Sequence, residues 1–161
     1  MTVKPMTPNT DATPLSERIE SAMRDAMRAR DEQRTQTLRM AMAAAQNLRI
    51  AQRRDLTDDE VIDVLSKQVK QRRESIAMYR DAGREDRAAA EEQEAAILAE
   101  FLPVQLTSDE IDALARAVIQ ETGATTPAEL GRVMGRLAPQ VKGRADGRAV
   151  SEAVRRLLGG G

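Results

Sequence analysis

Apolar residues recur along this chain at spacings of three and four, the period of helices that pack by one face. Leu15, Ile19, Ala22, Met23, Ala26 and Met27 form the first stripe. Ser16 is positioned to cap that helix, with Leu15 as the staple residue before it. Asp31 suits the N-cap of a second helix carrying Leu38, Ala41, Met42, Ala45 and Leu48. Neither glycine nor proline marks that break, so one longer helix is the alternative. The small run Ala43-Ala44-Ala45 admits a closely packed neighbour. Thr57 and Glu60 have capping-box spacing and open a third helix that ends at Gly83. Val61, Val64, Leu65, Val69, Ile76 and Tyr79 make its inward stripe, and Lys67, Lys70, Arg72, Arg73 and Arg80 decorate its surface. A fourth helix opens near Glu85-Asp86, where acids favour a helix start, and carries Ala96, Ile97, Phe101 and Leu102 as far as Pro103.

The pattern then shortens. Thr107 and Glu110 form a second capping box, for a helix with Ile111, Leu114, Val118 and Ile119 closed by Gly123. Thr126, Pro127 and Glu129 form a third, with proline at the first helical position. That helix carries Leu130, Val133, Met134 and Leu137 and ends near Pro139. A last helix follows Asp146, with Ala149, Val150, Ala153, Val154, Leu157 and Leu158 on one face. The expected fold is all-α: a four-helix lobe over residues 15–102, then a three-helix bundle over 103–161. Residues 1–14 hold three prolines and few large apolar side chains, and are expected to be a disordered tail.

Composition agrees. Aromatic residues are 1% of the 161, only Tyr79 and Phe101, which disfavours a sheet core. The chain contains no cysteine and no histidine. Disulfides, thiolate nucleophiles, Cys/His zinc sites and histidine-based acid–base pairs are therefore excluded. No apolar run approaches the roughly 18 residues that a membrane span needs, and residues 1–14 lack the apolar core of a signal peptide. The expected location is the cytoplasm, with no membrane partner.

Charge changes the picture more than its total of −1 indicates. Residues 1–84 hold 16 basic and 13 acidic side chains, net +3. Residues 85–129 hold two arginines against 11 acids, net −9. Residues 130–161 hold seven basic side chains against two acidic ones, net +5. Such separation steers polyanions toward one face, or draws oppositely charged segments of the chain together.

One segment carries a resemblance. LPVQLTSDEI, followed by GRVMGRLAPQVKGRADGRAVSEAVRRLL, spans residues 102–158. The Leu-Pro before a capped helix, the Gly-x-Val-Met-Gly turn and Val-Lys-Gly-x-Ala-Asp-Gly closely resemble the GatB/YqeY family. Upstream, the basic stretch Lys67–Arg80 and the helix order are similar to its free-standing members. The resemblance implies an all-helical two-lobe fold. It also implies a role like that of the C-terminal tail of the glutamine-dependent tRNA amidotransferase B subunit, which helps recognise the outer corner of tRNA. The associated label of carbon–nitrogen ligase with glutamine as amido-N donor describes the whole complex. This chain has no GxxxxGK phosphate loop. We therefore expect a non-catalytic, tRNA-binding helical module with no cofactor. The alternatives are an adaptor for an acidic protein or an auxiliary factor of amidotransferase subunits. DNA is not an expected partner.

The candidate contacts follow from charge and backbone freedom. Lys142, Gly143, Arg144, Gly147 and Arg148 surround a glycine turn that feeds a helix start, where free N–H groups attract phosphate. The competing reading is a tight interhelical turn with Asp146 as N-cap. Arg132 and Arg136, four apart beside Gly131 and Gly135, extend the basic surface. Lys67, Lys70 and Arg73 form a ridge on the third helix, for which the competing reading is a solvated face. With so few aromatic platforms, RNA would be recognised by shape and phosphate rather than by base stacking. Carboxylate pairs such as Glu91/Glu94 and Asp109/Glu110 have no convergent partner, and no metal site is expected.

Overall fold

A computed structural model describes residues 13–159, so most of the proposed N-terminal tail lies outside the described residues. Among the described residues there are seven α-helices and no strand. They divide into two compact units, one ending at Phe101 and one beginning at Leu102.

In the first unit, α1 spans Leu15–Arg28. The expected Ser16 cap does not form. The helix instead opens at Leu15, whose amide donates to Asp58 Oδ1 at 3.0 Å. A carboxylate 43 residues away thus satisfies the first amide of the helix, one residue before the expected cap. Leu15, Ile19 and Ala26 are buried, whereas Met27 is 51% exposed, one step off the 15-19-22-26 stripe.

The break before α2 (Glu32–Gln52) is made by Arg30, which adopts φ +56°. Its neighbour Asp31 donates its amide to Ala26 O at 2.9 Å, the six-to-one bond of a Schellman ending. The Asp31 carboxylate then accepts from the Arg34 amide at 3.0 Å. Two helices result, not the single longer one.

Helix α3 (Asp58–Asp81) carries the expected capping box, with Glu60 N to Thr57 Oγ1 at 3.2 Å and the reciprocal bond at 3.1 Å. Gly83 ends the turn at φ +71°, and Arg84 N donates to Tyr79 O. Val61, Leu65 and Val69 are buried as expected, but Arg72 is buried with them, only 6% exposed. Spacings of 61-65-69-72-76-79 put Arg72 on the inward stripe, not the decorated surface. Its guanidinium meets Glu94 at 3.5 Å and Gln68 O at 3.2 Å.

Helix α4 (Glu85–Ala99) stops before Phe101 and Pro103. Its buried residues are Ala88 and Leu98, whereas the expected Ala96 is exposed. Both Tyr79 and Phe101 are half-buried.

The second unit packs α5 (Ser108–Thr122), α6 (Leu130–Val141) and α7 (Gly147–Gly159) around Ala115, Val118, Val133, Leu137, Val150 and Val154. Thr107 and Glu110 cap α5 reciprocally, and Gly123 closes it at φ +70°. A short 3-10 turn, Pro127–Glu129, leads into α6. Pro139 does not end α6, which runs on to Val141; the ring sits on an exposed face near the helix end.

Candidate nucleic-acid interface

The two resemblance motifs of the second unit lock onto each other. Gln105 donates its side-chain amide to Gly143 O at 2.7 Å and to Pro103 O at 2.8 Å. Leu106 N donates to Arg144 O at 2.8 Å, and Arg144 Nε donates to Val104 O at 3.1 Å. The Leu-Pro-Val-Gln-Leu strip is therefore a strap across the Lys-Gly-Arg-Ala-Asp-Gly turn. Gly143 supplies the positive φ, +73°, that this turn needs, while Gly147 opens α7 without one. Asp146 accepts the Arg148 amide at 3.3 Å, so the chain's own carboxylate sits at the α7 start. The phosphate reading and the tight-turn reading share these residues, and the turn's bonds engage Arg144.

The exposed arginines nearby carry partners. Arg132 meets Glu129 at 2.7 Å, Arg136 meets Glu121 at 3.0 Å, and Arg148 meets Glu152 at 3.2 Å. Each guanidinium is more than half exposed. Pairs of that kind hold weakly in water, typically about 0–1 kcal/mol, and exchange a carboxylate for a phosphate at little cost. The Glu129 carboxyl is held low chiefly by the Thr125 and Thr126 amides. Lys142 is exposed. Gly131 and Gly135 are exposed, and a Cβ at either would meet nothing within 4 Å, so packing within the unit does not demand them. A shallow groove of about 600 Å³ runs past Met134, Gly135, Ala138, Lys142, Ala145 and Gly147. Arg155 was absent from the sequence-based candidates. It is exposed, without an ion pair among the described residues, and seven residues from Arg148 on the same α7 face.

The first unit presents its candidates differently. Lys67, Lys70 and Arg73 are all exposed on α3, and none has an ion pair or side-chain hydrogen bond among the described residues. Steps of three residues rise about 4.5 Å each, so the row spans about 9 Å of helix. Long cationic side chains at that pitch suit successive phosphates of one strand.

Most acids of the segment 85–129 are engaged by a residue of the unit each lies in. Arg34 meets Glu100 at 2.8 Å, Arg80 bonds Glu92 and Glu85, and Arg72 holds Glu94. Burial pushes the Glu94 carboxyl up, against the pull of Arg72. In the second unit Asp112 meets Arg156 at 2.6 Å. The Glu110 carboxyl is held low by the Thr107 amide of its capping box. Neither Glu94 nor Glu110 of the carboxylate pairs is left uncommitted.

A family model for Yqey-like proteins matches residues 16–158. The chain belongs to the YqeY-like family. It is 28% identical over 148 residues to a Pyrenophora tritici-repentis protein named altered inheritance of mitochondria protein 41, mitochondrial. That alignment covers 88% of this chain and 80% of the fungal one. An uncharacterized protein of Schizosaccharomyces pombe is 31% identical over 85 residues, 53% of this chain and 69% of its own length. Among the described residues of this YqeY-like chain, no helix is long and apolar enough to cross a membrane.

Proposed function

We propose that this YqeY-like chain binds tRNA in the cytoplasm as a non-catalytic helical module, through phosphate contacts and the shape of the folded RNA. The observation that carries the reading is the row Lys67, Lys70 and Arg73, exposed on α3 and without ion pairs among the described residues. Likeness of residues 102–158 to the tail of the tRNA amidotransferase B subunit supports it. The exposed, exchangeable arginine pairs of α6 and α7 add cations whose present partners are weakly held.

The test is a titration of the purified chain against total tRNA at several salt concentrations. Each phosphate contact contributes about 0.7–0.9 to the slope of log affinity against log salt. Lys67→Glu with Lys70→Glu and Arg73→Glu should flatten that slope by about 2–3 and weaken binding at low salt. Arg132→Gln with Arg136→Gln reads the second unit separately. Unchanged affinity and slope in both folded variants would refute the phosphate reading. Ammonia released from glutamine by the purified chain would refute the non-catalytic part.

A further inference from the structure

We infer that the first unit carries a second docking site, for a basic amphipathic helix of a protein partner. Between α1, α2 and α3 lies a cavity of about 420 Å³. Its floor is apolar: Ile19, Ala41, Val61 and Leu65 are buried, and Met42 and Leu56 half-buried. The space exists because α2 places alanines, Ala41 and Ala45, where larger side chains would fill it. Of the run Ala43-Ala44-Ala45, Ala45 lines this cavity. An unfilled apolar space forfeits packing energy, so an occupant's side chains have something to gain there.

The rim decides what fits. Glu17, Glu20 and Asp55 line the cavity with Arg49, and Arg24 meets Glu20 at 3.2 Å from beside the rim, so Glu17 is the acid left to engage an occupant's cation. Arg49 is already bonded to Asp55 at 2.9 Å, and Glu17 has no ion pair among the described residues. Close by, Asp58 is anchored to the first amide of α1 at 3.0 Å. The uncommitted rim charge is negative, opposite in sign to the Lys67 row, which separates the two sites. A neutral or acidic peptide wins no rim contact. A helix with leucine-like anchors at spacings of three and four, flanked by lysine or arginine, satisfies both floor and rim.

The probe is a fluorescein-labelled amphipathic helix of leucine and lysine, about five turns long. Its controls are the same helix with glutamate for lysine, and a leucine–lysine peptide scrambled to destroy the apolar face. Anisotropy should show the first peptide binding the full-length chain at least about tenfold tighter than either control. Ala45→Phe, which fills the cavity, and Glu17→Lys with Glu20→Lys, which reverses the rim, should each weaken it about tenfold. Lys67→Glu with Lys70→Glu should leave it unchanged, so failure here is distinguishable from failure of the tRNA reading. Equal binding by the glutamate or scrambled peptide would overturn the inference, as would full binding by a folded Ala45→Phe variant. So would Ala45-dependent binding of a long-chain alkylammonium with no binding of the helix, since the occupant would then be a small lipophilic cation.

Discussion

Replacing Arg72 by methionine keeps most of the side-chain volume and removes the charge. Arg72 is 7% exposed at its side chain and meets Glu94, 26% exposed, at 3.5 Å. At that distance the gross attraction is about 4.7 kcal/mol with an effective dielectric of 20, and about 1.2 kcal/mol in water. Desolvation of the guanidinium offsets much of it, and the buried Nε meets Glu94 as an ion pair without a hydrogen bond. We expect Arg72→Met to destabilise the first unit by about 1–3 kcal/mol, mostly by stranding the Glu94 carboxylate. Arg72→Met with Glu94→Gln should recover at least half, leaving a coupling energy of about 1–2 kcal/mol in the cycle.

The assay is urea unfolding followed by tyrosine fluorescence. Tyr79 is the only tyrosine and there is no tryptophan, so the signal reports the first unit alone. The pH dependence gives a second check. Burial raises the Glu94 pKa, so its protonated form is the one the fold tolerates better. The cost of Arg72→Met should therefore be largest at neutral pH and shrink as acid neutralises Glu94. A cost under about 0.5 kcal/mol with no coupling to Glu94 would show that the pair plays no part in docking α4 on α3.

Arg30→Gly should stabilise the first unit by about 0.5–1 kcal/mol, read as a higher urea midpoint, because φ +56° strains an arginine and suits glycine. The Glu60 carboxyl is lowered from 4.5 to about 2, chiefly by its bond to Arg54 and then by the Thr57 amide. Its contribution is complete above the ordinary glutamate range and lost as pH falls toward about 2. The stability gap between wild type and Glu60→Gln should close over that window in a pH series of thermal melts. Gln105→Ala should cost about 1–3 kcal/mol of second-unit stability by freeing the Gly143 carbonyl. Hydrogen exchange should then show faster exchange of the Leu106 amide, which bonds Arg144 O.

Much of the fold is legible in local spacing. Thr57 with Glu60, Thr107 with Glu110, and Asp31 with Arg34 are bonds across three residues, so a short window of sequence contains both partners. The inner stripes of α3, α5, α6 and α7 follow from helical period, except that Ala149 of the α7 stripe is exposed. Local spacing failed where a distant residue replaced a local one. Asp58 bonds the first amide of α1, where Ser16 was the local candidate, whereas at Arg72 the spacing points inward and it is the charge that misleads, since Glu94 is there to meet it. In α4 alanines occupy both faces, so helical period does not single out Ala88, and Leu98 rather than Ala96 is buried.

The candidate interface divides in the same way. Sequence determined that the chain is helical, that it lacks histidine and cysteine chemistry, and which cations sit at helical spacing, because composition and period are properties of the chain itself. Glu129 for Arg132 and Glu152 for Arg148 stand three and four residues away in the sequence, but only the tertiary structure decided that Arg136 is paired, that Arg144 is bound into the Gln105 strap, and that Lys67, Lys70 and Arg73 face solvent unpaired among the described residues. Pairing and burial depend on which helices meet, and partners such as Glu121 for Arg136 or Val104 for Arg144 lie far away along the chain.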